Sequence, residues 1–108
     1  MEKKEEQFLF APTEFDKENI LLKDGRNIFY FLHPTEKQQL IAVKQNPEAI
    51  ELIDTKYLTD KVKLEAIKKD PNVIRFIDDP TEEMQMEAVK IDPYTIKHIK
   101  NPTIIVQN

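Results

Sequence analysis

Three stretches of this chain align residue for residue without a gap: Thr35 to Ile53, Thr59 to Ile77 and Thr81 to Ile99. The matching columns are Thr35/Thr59/Thr81, Leu40/Leu64/Met86, Ala42/Ala66/Ala88, Val43/Ile67/Val89, Lys44/Lys68/Lys90, Asn46/Asp70/Asp92, Pro47/Pro71/Pro93, Ile50/Ile74/Ile96 and Ile53/Ile77/Ile99. The step from Thr35 to Thr59 is longer by two than the step from Thr59 to Thr81, and the excess falls in the Asp54 to Leu58 connection. Upstream, Thr13 stands one shorter step before Thr35, and the same offset pairs Asp24 with Asn46, Gly25 with Pro47, Ile28 with Ile50 and Phe31 with Ile53. That is a fourth, degenerate unit, and Pro102-Thr103 opens a fifth. All seven prolines and the single glycine fall in two columns, before the Thr or after the Asp/Asn. A period this short means that each unit is one small supersecondary element, unable to bury its apolar side except against its neighbours.

The columns read as helix punctuation. Thr35, Thr59 and Thr81, each followed by an acid, are N-caps: the hydroxyl accepts from an orphan N–H and the acid complements the helix dipole. Apolar pairs three apart, Leu40/Val43, Leu64/Ile67 and Met86/Val89, predict one buried stripe, and the Ala column lets another helix approach closely. The first helix ends near Lys44, Lys68 and Lys90. The Asn/Asp-Pro pair that follows is a second N-cap with proline at the first helical position, where its missing N–H costs nothing. A shorter second helix then runs to about Ile53, Ile77 or Ile99. The fold predicted is all-α: a short α-solenoid of two-helix repeats with a period of about twenty-two. An N-terminal capping segment is expected over 1–12 and the repeat array over 13–108.

The string KDGRNIFYFLHPTEKQQLIAVKQNPEAIELI, taken up again by NPT at Asn101 to Thr103, resembles the short A-V-K-Q-N-(P/G)-x-A-I-x-x-I-x-x-P-(T/S)-x-x-x-Q-L helical repeats of bacterial, bacteriophage and giant-virus proteins. The resemblance covers roughly Lys23 to Thr103. It implies the helical-repeat fold, brings no catalytic motif, and carries no assigned activity. Leu58 stands where that pattern has proline, and Ile104-Ile105-Val106 where it has polar residues.

Composition narrows the function classes. Cysteine and serine are both absent, which removes disulfides, thiolate metal sites and the common nucleophiles, and one glycine cannot build a phosphate-cradling loop. His33 and His98 occupy different repeat positions and have no evident third metal ligand. The acids Asp78, Asp79, Glu82 and Glu83 bracket a helix start, where the dipole favours them. No enzyme activity, cofactor or metal is expected. A net charge of −4 with interleaved signs argues against nucleic acid, which calls for a basic face. The longest apolar runs fall far short of a membrane span, and the expected location is the cytoplasm.

What remains is a protein partner. Two candidate surfaces follow from the columns. The short helices carry Glu51, Arg75 and Lys97 at one varying charged position between constant isoleucines, a gradient able to orient a partner. The column Lys44, Lys68 and Lys90 forms a basic ladder, with compensation of helix C-termini as its plainer reading. At the C-terminal end Ile104, Ile105 and Val106 suggest self-association into a homodimer, against folding back within one chain. Phe8 and Phe10 read as packing over the first unit. The function expected is a non-catalytic protein-binding scaffold. The alternatives are a phage-encoded inhibitor docking on a host defence protein, which the phage occurrence of the resembling family suggests, and a small-ligand-binding repeat protein.

Overall fold

A computed structural model describes residues 13–103, which form four units of identical build. Each opens with a ten-residue α-helix: α1 Glu14–Lys23, α2 Glu36–Gln45, α3 Asp60–Lys69 and α4 Glu82–Ile91. Their starts are fixed as the sequence predicts. Thr13, Thr35, Thr59 and Thr81 accept through Oγ1 from the backbone N–H groups of Asp16, Gln38, Val62 and Met84. In the first two units the third helical residue, Asp16 or Gln38, accepts in return from the cap N–H and completes a capping box.

The second helix of each unit is the shorter one, as expected. It is a six-residue 3₁₀ helix: η1 Gly25–Tyr30, η2 Pro47–Leu52, η3 Pro71–Phe76 and η4 Pro93–His98. The spacing of its apolar residues is compatible with that geometry. With three residues per turn, positions i and i+3 eclipse, so Ile50 and Ile53, or Ile74 and Ile77, stand on one side. Ile53, Ile77 and Ile99 lie one residue past the helix, at the C-cap, and are buried there. One residue punctuates both elements: the Asn46 N–H closes α2 on the Ala42 carbonyl while its Oδ1 accepts from the Glu48 N–H and opens η2. Asp24, Asp70 and Asp92 do the same in the other units. A helix end and a helix start are thus satisfied without an intervening loop.

The α-helices stack side by side in one layer and the 3₁₀ helices in a second. Each α-helix after the first packs on the preceding α-helix and against the 3₁₀ helices of its own and the preceding unit. The core between the layers is built from the Ala column, fully buried at Ala42, Ala66 and Ala88, from Val43 and Ile67, and from Ile28, Ile50 and Ile74. Burying each of these larger side chains contributes about 1.5–3 kcal/mol.

The expected stripe is buried at Val43 and Ile67 but not at its other column. Leu40 and Leu64 are only half-buried and Met86 is 57% exposed. The buried position is two residues earlier, at Gln38, Val62 and Met84, where a glutamine in the first member hides the apolar pattern. Phe8, Phe10, Ile104, Ile105 and Val106 lie outside the described residues. Of the other early aromatics, Phe31 is buried, while Phe15, Phe29 and Tyr30 are exposed.

Candidate functional site

Two features of the 3₁₀ layer stand apart from the repeating core. The first is the column Glu51, Arg75 and Lys97, the fifth residue of η2, η3 and η4, exposed in all three. The residues just before it in the first two of these helices, Ile50 and Ile74, are buried. The side chains of this column therefore project away from the core. Arg75 is not idle in the stack. Its guanidinium lies 4.6 Å from the Phe76 ring centroid, and Nη2 is 3.9 Å from Glu48 Oε2 of the preceding unit. Both partners of that pair are well exposed, so it contributes little to stability and is open to exchange for another carboxylate.

The second feature was missed in the sequence reading. A cleft of about 300 Å³ opens between the η1–α2 and η2–α3 connections. Its apolar wall is Ile28, Phe31 and Ile53, and its mouth carries His33, Asp54, Lys56 and Tyr57. The His33 and Tyr57 rings meet edge to face at 5.2 Å, and Lys56 Nζ stands 5.3 Å from the Tyr57 centroid. Asp54 Oδ1 accepts from the Lys56 N–H, which folds the connection into a turn. The signal for this cleft is the excess of two in the Asp54 to Leu58 connection, the one place where the period lengthens.

Beneath the cleft lies Gln39, 1% exposed. Its Nε2 donates to the carbonyls of Pro34 (3.0 Å) and Tyr57 (2.9 Å), tying together the two connections that line the cleft. Its Oε1 is buried with no hydrogen-bond partner.

The lysine column takes the opposite layer. Lys44, Lys68 and Lys90 are exposed in the last turns of α2, α3 and α4, near the carbonyl ends, and Lys90 Nζ is 3.8 Å from Glu87 Oε2 in its own helix. The two charged columns therefore belong to different layers and do not form one site. His33 and His98 lie in different units, and among the described residues no three His, Asp or Glu side chains gather as a metal site. No described helix is long and apolar enough to cross a membrane. Asp24 is held below the usual carboxylate range by the Arg26 backbone N–H, against a raising effect of burial and with help from the Arg26 guanidinium. No family model matches this chain, and neither a curated protein nor a solved structure does.

Proposed function

We propose that this chain is a non-catalytic protein-binding scaffold that reads its partner with the 3₁₀ layer. The observation that supports this is the split between constant and varying columns. The repeated apolar residues Ala42, Ala66, Ala88, Ile50 and Ile74 are buried, whereas the position that changes from Glu51 through Arg75 to Lys97 is exposed on each successive 3₁₀ helix. Variation spent on solvent positions of a rigid array is how a solenoid acquires a particular partner without altering its core. The cleft beside Tyr57 supplies an anchor for one apolar or aromatic side chain. At about 300 Å³ it stands at the lower edge of the range that holds a whole small ligand.

The test is affinity capture from the cell that carries the gene, using the intact chain, a Glu51→Lys, Arg75→Glu, Lys97→Glu variant, and a Lys44→Glu, Lys68→Glu, Lys90→Glu variant. A protein held by the intact chain and the second variant but lost by the first, with unchanged circular dichroism, is the expected outcome. Equal capture by all three, or loss only with the lysine variant, rejects the 3₁₀ layer as the reading surface.

A further inference from the structure

The far side of α4, the side turned away from α3, is built like the sides of α1, α2 and α3 that the next helix covers. In the first helical column, Glu14 Oε2 accepts from Gln38 Nε2 (2.9 Å) and Glu36 Oε2 accepts from Thr59 Oγ1 (2.6 Å), each donor lying in the following unit. Four residues on, Glu18 pairs with Lys37 of the following helix at 3.0 Å, and Leu40 and Leu64 are half-buried. In the column after that, Leu21, Val43 and Ile67 are fully buried. The α4 members of these columns are Glu82, Met86 and Val89. Glu82 is exposed, Met86 is 57% exposed, and Val89 is only partly buried. The 3₁₀ layer repeats the contrast: Ile28, Ile50 and Ile74 are buried and Ile96 only partly so. An open groove of about 620 Å³ runs along α4 past Glu82, Glu83, Met86, Glu87 and Lys90.

We infer that this side is a docking site for one amphipathic helix of a partner protein, basic in its first turn. The three internal junctions define what fits. At the first two of them the incoming helix presents a donor to an acid of the preceding helix: Gln38 to Glu14, Thr59 to Glu36 and, one turn further on, Lys37 to Glu18. It carries an apolar residue in the column of Val62 and Met84, and alanine four residues later, where Ala42, Ala66 and Ala88 are completely buried. Any larger residue there would keep the helix from seating. The groove lining holds three carboxylates and one lysine, so a basic first turn is complementary to it. A second copy fits less well: the first turn of α1 has Asp16 in the apolar column, which would bring one more acid to Glu82 and Glu83. This site lies on the last described α-helix and does not depend on the reading of the 3₁₀ column.

The probe is a labelled synthetic peptide of one internal unit, residues 58–77, titrated into the full chain and followed by fluorescence anisotropy. Saturable binding is expected, weakened at least about tenfold, or ~1.4 kcal/mol, by Met86→Glu and by Glu82→Lys in the chain. Ala66→Leu in the peptide should weaken it as much. Both chain substitutions are at exposed positions, and an unchanged unfolding midpoint separates lost docking from lost folding. No saturable binding overturns the proposal, as does binding indifferent to these substitutions. Concentration-dependent mass in light scattering that Met86→Glu abolishes would assign the side to a second copy instead. Peptide binding gained only in a chain ending at Thr103 would assign it to residues 104–108. Either result likewise overturns it.

Discussion

The first and second junctions of the stack are made from the same columns and are held together differently. Between α1 and α2 the repeat keeps its shorter period, and the units close until backbone meets backbone: a Cβ built on Gly25 would run into the carbonyl of Ala42. Polar pairs lock the outside, Glu18 with Lys37 and Glu14 with Gln38. Between α2 and α3 the period is longer by two, the extra residues turn outward, and the cleft opens. There Thr59 Oγ1 donates to Glu36, and the two connections are bridged by Gln39. Its counterpart Gln85, in a unit that keeps the shorter period, donates to the Pro80 carbonyl and accepts at Oε1 from the Thr103 N–H, so both ends of that amide are used. Gln39 makes the Pro34 bond in the same way, but the longer connection offers it a second carbonyl, at Tyr57, and its Oε1 is left unpartnered. The insertion thus exchanges a donor for an acceptor at one amide. A solenoid can gain a recess without altering any core column.

The largest effect expected from breaking this contrast is at the first junction. Gly25 does not use a left-handed backbone, so its role there is space alone. Gly25→Ala gains a little by restricting the unfolded chain, but it sets a methyl group against main chain, which no rotamer change relieves. We expect a net loss of about 3 kcal/mol, lowering the thermal midpoint by roughly 10 °C or more. A midpoint within a degree of the parent would mean that the first junction is as loose as the second.

A smaller effect sharpens the glutamine comparison. Gln39→Ala strands the Pro34 carbonyl and the part-buried Tyr57 carbonyl and removes a tie across the cleft; loss of the unpartnered Oε1 offsets part of this, leaving a net cost of about 2 kcal/mol. Gln85→Ala leaves the Pro80 carbonyl and the N–H of exposed Thr103, which water can reach, and should cost less than half as much. Chemical denaturation of both variants decides it. Equal losses would show that the unpartnered Oε1 and the longer connection make no energetic difference between the junctions.

Much of this architecture was legible because local chemistry and global repetition point the same way. Thr35 and Asp70 cap where their columns say, and the Ala column is fully buried. Three things were not. The 3₁₀ geometry was hidden because apolar residues three apart suit either helix type, and six residues are too few to show which period holds. The buried column two residues before Leu40 was hidden because Gln38 occupies a position that Val62 and Met84 make apolar, and a buried glutamine reads as polar until its capping role is known. The cleft has no motif at all. Only the irregular spacing at Asp54 to Leu58 marks it, and spacing alone does not say whether extra residues bulge outward or fill a gap.

The smallest effect tests whether the caps at the two junctions are interchangeable. Asp24 at the first and Asn46 at the second both accept from the N–H two residues on, at 2.9 and 3.0 Å. Asn46 does so without charge, whereas Asp24 also has the Arg26 guanidinium nitrogen Nε 3.5 Å from Oδ1. The folded-state acidity of Asp24 is shifted downward, chiefly by the Arg26 backbone N–H. A carboxyl depressed on folding stabilises fully above its unfolded value, and that contribution is lost as pH falls through the folded one. The window therefore lies at and below about pH 4. Asp24→Asn keeps the cap and removes the titration. It should leave the chain slightly less stable than the parent at pH 7 and indistinguishable from it near pH 2, because protonated Asp24 has lost the same advantage. Thermal midpoints of the two proteins across that range give the comparison. A gap of constant size down to pH 2 would show that asparagine fails as a cap at the first junction, and that the two turns differ in shape as well as in charge.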